Sequence, residues 1–416
     1  MDQVFTQSRL VPIDAIEFVK EFYPRSREDD AVIERYRAAI DMLPPITVAR
    51  GRILVDGFHR WQAHRREGLT EIAIEDLGNL ADIEIKKEGY RRNKAHGHQL
   101  ITSDKKRGAD DLYRTVTRDY QEIADLIGVT LATAKEYCRE ARKDEVQQQK
   151  DAAWDKWLDC QSYREIGEEL DVDHKTVAAW CGEFSNGLGN SPPASRQHFD
   201  IWQFQKADDS EGQASYFGRI PSQVVENLLW FFTDVGDIVV DPFAGGATTI
   251  DVCKSMGRRV WSSDIKPSTP TRPIHQHDIL SGWPKDAPAK AKLIVLDPPY
   301  WQQAKGRYSD SPFDLGNMSL DDFNQAWESV VKTCAEHLTN DGFLAYIISP
   351  TQMEDGSVVD HVTDMLPPCW DAGLVVHRRI IVPYQTQQAT GQQVEWARDK
   401  KRMLKLYRDL VVLRHE

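Results

Sequence analysis

Two patterns of apolar residues alternate along this chain. Short continuous apolar runs end abruptly in acid-, glycine- or proline-bearing segments and predict strands, while apolar residues three or four apart predict helices. In the front, Pro45–Val48 and Arg52–Val55 read as paired strands with Arg50-Gly51 at the turn, and Asp56-Gly57 leads into a helix. Two later stretches, Gln121–Lys135 and Tyr163–Val177, share one layout. A small residue (Ala124, Gly167) sits in a first helix, Gly128 or Asp171 makes the turn, and Thr130 or Asp173 caps a second helix. Further on, Ile238–Val240, Arg259–Ser263 and Leu293–Leu296 read as buried strands. A helix over 321–337 and strands over 343–348, 374–382 and 409–413 follow, the last two suggesting an antiparallel hairpin.

The chemistry gathers where those strands end. Leu293–Leu296 runs into Asp297-Pro298-Pro299-Tyr300. An exocyclic base amine is a poor nucleophile because its lone pair is delocalised into the ring. Asp297 can accept one hydrogen bond from such an amine and the Pro298 carbonyl a second, freeing the lone pair for attack. The prolines lack an N–H and fix the backbone, and Tyr300 can stack on a base flipped out of its duplex. Upstream, Ile238–Val240 ends in Asp241-Pro242-Phe243, and Gly245-Gly246 allow a tight turn into a helix near Thr248. Asp264 ends the next strand, where an acid can hydrogen-bond ribose hydroxyls, and Asp278 can accept from an adenine amino group. Taken alone, these residues also fit a doubly wound domain for another adenosine-containing ligand.

From Asp200 onward the chain resembles the S-adenosylmethionine-dependent amino-methyltransferases of DNA, the adenine-N6 and cytosine-N4 class. That resemblance implies a Rossmann-like α/β fold in which Asp241, Pro242, Phe243, Gly245, Gly246, Thr248, Asp264 and Asp278 hold the cofactor. It makes Asp297, Pro298, Pro299 and Tyr300 the base-side catalytic loop. Tyr216–Pro221 and the helix after it, with Pro221 at the junction, look like the family's segment beside the methionine end of the cofactor. Ala247 departs from the family, which often has another glycine there. Asp rather than Ser before the prolines favours adenine as a family tendency.

The front 115 residues resemble the ParB-like fold, an α+β domain whose Gly-x-x-Arg box contacts nucleotide or DNA phosphate. Gly57, His59 and Arg60 match that box at a helix N-terminus, which favours anions. CTP or ATP is the candidate nucleotide, with bare backbone phosphate as the alternative. Tyr23-Pro24-Arg25 and Arg92–Gly97 stand where the family has its other phosphate-facing segments. In the two helix-turn-helix candidates, Thr133 and Lys135, or His174, Lys175 and Thr176, would face the major groove.

Composition narrows this only slightly. The 416 residues are 41% hydrophobic and 28% charged, within the range of globular chains with sizeable cores. The net charge of −13 argues against a simple cationic DNA wrapper but leaves local basic patches, at Arg65-Arg66, Arg91-Arg92, Lys105–Arg107 and Lys400–Arg402. Six scattered cysteines show no metal-like pairing and read as reduced thiols of a cytoplasmic protein. The N-terminus lacks a basic-then-apolar signal, no run approaches a membrane span, and no metal or nuclease motif is evident.

These readings combine into four segments: a ParB-like domain over 1–115, a helical region over 116–184, a Gly/Asn/Ser/Pro linker over 185–199, and a methyltransferase domain over 200–416. The expected activity is adenine-N6 methylation of double-stranded DNA, the front half aiding recognition, with a homodimer as a candidate assembly. Cytosine-N4 or an RNA base is the alternative within the class. A ParB-like regulator whose methyltransferase fold only senses cofactor is the alternative outside it.

Overall fold

The structure, a computed structural model, describes residues 9–25, 28–95, 100–204, 211–213, 216, 218–303, 305–306, 314–353, 355–384 and 389–416. By its internal packing the chain divides into a front unit, 1–148, and a rear unit, 149–416. Among the described residues no helix is long and apolar enough to cross a membrane.

In the front unit, β1 (Arg9–Pro12), α1 (Asp30–Arg37), β2 (Ile46–Ala49), β3 (Ile53–Asp56), α2 (Phe58–Arg66) and β4 (Glu71–Asp76) form a small α+β layer. Its sheet has the order β1-β4-β2-β3, with β2 parallel to β4 and the other pairs antiparallel. The β2–β3 turn is tight because Arg50 and Gly51 both take positive φ, 51° and 74°. Helices α3 (Asp82–Ala95), α4 (Thr102–Thr115), α5 (Tyr120–Ile127) and α6 (Leu131–Tyr137) follow. Ile123, Ala124, Leu126, Ile127 and Ala134 are buried among them. Gly128 ends α5 in the left-handed region, and Thr130 caps α6 by accepting from the Thr133 N–H at 3.2 Å.

Helix α7 (Arg139–Leu158) crosses the boundary between the units, so the helical region expected over 116–184 is divided rather than standing apart. Its second helix pair, α8 (Tyr163–Leu170) and α9 (His174–Leu188), belongs to the rear unit. Asp171 makes the turn in the left-handed region and Asp173 caps α9. Gly167 is required there, because a Cβ on it would come within 2.6 Å of the Val172 carbonyl oxygen. The start of the expected linker is helical, since α9 runs to Leu188. Its remainder is pinned: Asn190 donates to Asp234 at 2.6 Å and accepts from the Val235 N–H at 3.1 Å.

The rest of the rear unit comprises α10 (Ser222–Phe232), β5 (Ile238–Asp241), α11 (Thr248–Ser255), β6 (Arg259–Asp264), β7 (Ile274–Gln276), β8 (Ala291–Leu296), α12 (Leu320–Glu336) and β9 (Leu338–Ile348). A two-residue ribbon of β10 (Thr351–Gln352) and β11 (Val358–Val359), then α13 (His361–Asp371), β12 (Leu374–Pro383), α14 (Gly391–Lys400) and β13 (Tyr407–His415), complete it. The seven-stranded sheet has the order β12-β13-β9-β8-β5-β6-β7. Strands β9 to β7 are parallel in that order, and β13 enters antiparallel between β9 and β12. On the outer side of β12, Ile381 exchanges hydrogen bonds with Asp200 and Trp202 at 2.8 and 2.9 Å.

Both faces of this sheet are buried, which explains why its strands read as continuous apolar runs. Val240, Ile294 and Leu296 point to one face and pack with Phe323, Trp327 and Val330 of α12. Val239, Leu293 and Val295 point to the other and pack with Val224, Val225 and Leu228 of α10. The chain winds outward from β5 through β6 to β7, then returns to β8 on the other side of β5. The carboxyl ends of β5 and β8 therefore flank a switch point, where doubly wound sheets bind their ligands.

Candidate active site

At that switch point lies a cavity of about 460 Å³. Asp241, Gly245, Gly246, Asp264 and Asp278 line it from the β5, β6 and β7 side, and Asp297 and Pro299 from the end of β8. Two loops 50 residues apart in the chain thus share one space. Pro242, Phe243 and Thr248 also face it. Pro298 and Tyr300 do not form its wall, and neither does Pro221, whose place is taken by Gly218, Arg219 and Ile220. Tyr300 packs against the core instead, and its buried hydroxyl makes no well-formed hydrogen bond. Phe217 of the Tyr216–Pro221 segment lies outside the described residues.

The glycine turn is shaped by what crosses it. A Cβ on Gly245, itself at φ +45°, would come within 2.9 Å of the Tyr216 ring. Ala247 is held at φ 67° directly before α11. Asp264 fixes the turn by accepting from the Gly245 N–H at 3.0 Å and the Lys266 N–H at 2.9 Å. Asp278 accepts from the Leu280 N–H at 3.0 Å. The hydroxyl of Thr248, at the start of α11, is buried without a hydrogen-bond partner and belongs to a residue of the cavity wall. An unpaired buried hydroxyl at a helix N-terminus suits a polar ligand.

The electrostatics distinguish the acids. Burial raises Asp241 to about 6, against hydrogen bonds from Thr249 and the Phe243 N–H. Asp297 keeps some surface open to the cavity, yet protein surrounds it, and desolvation raises it to about 7. The Arg408 guanidinium opposes that rise, and Asp241 adds to it. Arg408, on β13, is only 7% exposed and lies over the Tyr384 ring at 4.8 Å. Burial alone would lower its pKa, but Tyr300, Tyr384 and Asp297 outweigh burial and hold it charged. Desolvation pushes the Tyr300 hydroxyl well above its ordinary range. Arg408 escaped the sequence reading. Its only signal was a cation just before the apolar run Leu410–Leu413. Asp314, on the cavity wall, was missed as well.

The front-half candidates are more engaged with their own fold. Gly57, at φ 98°, starts α2. Arg60 donates to Asp56 at 2.8 Å and to the carbonyls of Pro44 and Pro45 at 3.1 and 2.8 Å, so its fork is not presented to an anion. His59 accepts from the Asp29 N–H at 3.1 Å. Arg25 donates to Asn93 at 3.0 Å, and Arg92 to Glu75 and Glu88, each at 2.9 Å. Lys94 donates to the Asp125 carbonyl at 2.8 Å, while His96 and Gly97 lie outside the described residues. On the second helices, Lys135, His174 and Lys175 are exposed and Thr133 and Thr176 half-buried. Lys135 sits 5.9 Å from the Tyr120 ring, and the Thr133 hydroxyl is 2.8 Å from that of Thr130.

A mainly parallel sheet with an acid-lined cavity at its switch point and a second, proline-stiffened acid loop facing in defines a doubly wound ligand-binding fold equipped for chemistry. The model of the DNA methylase family, the N6/N4 methyltransferases, matches residues 60–269, half of the chain. The chain belongs to that family. The match ends before Asp297, so the acid loop stands on the geometry above. The type II methyltransferase M.BglII of Bacillus subtilis is 28% identical over 75 residues, 18% of this chain. Those residues amount to 21% of that relative's length. Among solved structures, TrmN of Thermus thermophilus covers 48% of this chain and 50% of its own, at 13% identity and TM-score 0.33. The C-terminally truncated chromosome-partitioning protein ParB of Caulobacter crescentus, complexed to the centromeric parS site, is 26% identical. It covers 34% of this chain and 76% of its own at TM-score 0.26.

Proposed function

We propose that this chain transfers a methyl group from S-adenosylmethionine to the N6 amine of adenine in DNA. The observation that carries the reading is the single cavity shared by the glycine turn at 245–246 and the carboxylate of Asp297. The residues fit the cofactor: Asp264 and Asp278 offer carboxylates to ribose and adenine, and the unpaired Thr248 hydroxyl awaits a polar group. When bound, the cofactor supplies an electrophilic methyl on a sulfonium.

The chain's own part is to make a delocalised amine nucleophilic. Ionised Asp297 accepts a hydrogen bond from the amine and draws the nitrogen towards tetrahedral geometry. As the nitrogen–carbon bond forms and the sulfur–carbon bond breaks, the amine's surplus proton can pass to Asp297, which burial has brought near neutrality. Arg408 keeps a useful fraction of that carboxyl ionised. Pro299 walls the same space. Tyr300, half-buried and packed against the core, seats the loop that carries Asp297.

The front unit and the α8–α9 pair are read as DNA-recognition elements. No nucleotide is assigned to the Gly57 turn, where Arg60 is held by Asp56. The test is methyl transfer by the full chain from labelled donor to unmethylated genomic DNA, followed by digestion and mass spectrometry of the nucleosides. N6-methyladenine is expected. N4-methylcytosine would keep the enzyme and change the base, and a DNA product without label would overturn the reading in favour of a cofactor-sensing regulator.

A further inference from the structure

Within the rear unit the α8–α9 pair is bolted to the amino ends of the strands. Arg259, the first residue of β6, donates to the carbonyls of Trp157 and Cys160, each at 3.2 Å, and lies 5.2 Å from the Trp157 ring. Lys254 pairs with Asp159 at 2.6 Å. A Cβ on Gly257 would meet Leu188 of α9 at 2.7 Å. The base cavity opens at the carboxyl ends, on the other side of a sheet whose six-residue strands span roughly 20 Å. These helices therefore do not stand beside the flipped base.

A different element does. Strand β13 runs antiparallel to β9, with Asp409 opposite Ile348, while Tyr346 lies opposite Leu296 of β8. The segment entering β13 thus emerges at the same end of the sheet as Asp297. Lys405 donates to Gln303, three residues beyond Tyr300, and Gln303 in turn donates to the Ser349 carbonyl at 3.1 Å. Helix α14 buries no residue. Between Gly391 and Arg408 stand six cations, Arg398, Lys400, Lys401, Arg402, Lys405 and Arg408, against Glu395 and Asp399, in a chain of net charge −13. Among them large apolar side chains are open to solvent: Trp396 is 43% exposed and Met403 89%.

Resting on the methyltransferase reading above, we infer that α14 and the basic run after it grip duplex DNA beside the base cavity. Phosphates meet Lys400 and Lys401, while Trp396 and Met403 supply the apolar contacts that hold a duplex opened at one base. A protein that reads only phosphates has no use for the exposed tryptophan and methionine, and an acid-binding patch has no reason to sit at the end of the sheet where this cavity opens.

The experiment compares the full chain with Lys400→Ala/Lys401→Ala, Trp396→Ala and, as a contrast, Lys175→Ala on α9. Binding of a fluorescent random-sequence duplex of about 30 base pairs is measured against salt. Loss of two phosphate contacts lowers the slope of log affinity against log salt by about 1.8 and weakens binding roughly ten- to thirtyfold at about 0.15 M salt. Cofactor binding and melting temperature stay unchanged in all variants. An unchanged slope and affinity for the lysine pair overturns the inference, while transfer by the wild type leaves the enzyme intact. Binding to vesicles of phosphatidylserine and phosphatidylcholine in place of the duplex overturns it too. Should the wild type bind the duplex through these lysines yet transfer no methyl, the grip stands and the methyltransferase reading falls.

Discussion

Asp297 is asked to be charged where charge is disfavoured. Its carboxyl titrates near 7 because burial outweighs Arg408, so methyl transfer should rise with pH between about 6 and 8. Asp297→Asn should lower turnover by roughly 10²–10⁴-fold, flatten that limb and leave cofactor affinity within about threefold. The same shift has a signature in stability. A carboxyl raised in the folded state favours folding below its unfolded pKa, and that contribution disappears as pH climbs to about 7. Asp297→Asn should therefore match the wild type near pH 4 and exceed it by on the order of 2–4 kcal/mol near pH 8, read from denaturant melts. Ala247 is the other informative residue. The left-handed conformation it adopts costs a Cβ-bearing residue about 1 kcal/mol. Ala247→Gly should raise the melting temperature by about 2–4 °C, measured by calorimetry. The family's glycine at this position is thereby explained by backbone geometry. Asp297 and the 245–246 turn could be read from sequence because each is a local signal at the end of an apolar run. Arg408 could not, because it reaches the site from the last strand and nothing near it in the chain betrays the carboxylate it faces.

At the scale of elements, the reading succeeded where periodicity was unbroken and failed where side chains overruled it. Helix α13 contains Pro367 and Pro368 and has no counterpart among the elements read from sequence. The N–H groups those prolines lack would have served carbonyls in the helix's first turn, and burial of His361, Val362, Met365 and Cys369 holds the helix regardless. The Gly/Asn/Ser/Pro stretch after α9 read as a linker because composition says nothing of specific partners. Asn190 instead joins Arg258, which is 2% exposed and donates to Thr233 Oγ1 at 3.0 Å, the Thr233 carbonyl at 2.9 Å and Asn190 Oδ1 at 3.3 Å. No carboxylate neutralises it there among its hydrogen-bond partners, and burial lowers its pKa. Replacing it strands several acceptors at once. Arg258→Met should cost about 3–5 kcal/mol in a urea melt, with the loss shared by the 190 segment and α10.

For the whole molecule, the division at 148 rather than 199 changes what can be removed. Cutting away 1–138 leaves α7 complete and should spare cofactor binding while weakening preference among DNA sites. Cutting away 1–190 also strips Trp157 and the α8–α9 pair from the amino ends of β5 and β6 and takes Asn190 from Arg258. The longer deletion should lower the melting temperature by more than about 10 °C or leave the protein insoluble, whereas the shorter should not. Equal melting of the two would show that the helix pair is a passenger on the rear unit. The fold class of that unit was readable because a sheet covered on both faces writes itself as bare apolar runs. The division of the helical region was not, since it depends on which surface each pair meets.

The borders of the large sheet carry a consequence for the life of the protein in concentrated solution. One border, β7, offers a visiting strand only three residues, and the other, β12, is met at Ile381 by the chain's own Asp200–Trp202. A neighbouring molecule seeking to extend the sheet meets brevity at the one border and, at Ile381 of the other, amides already claimed, which narrows the opening through which fibrils usually begin.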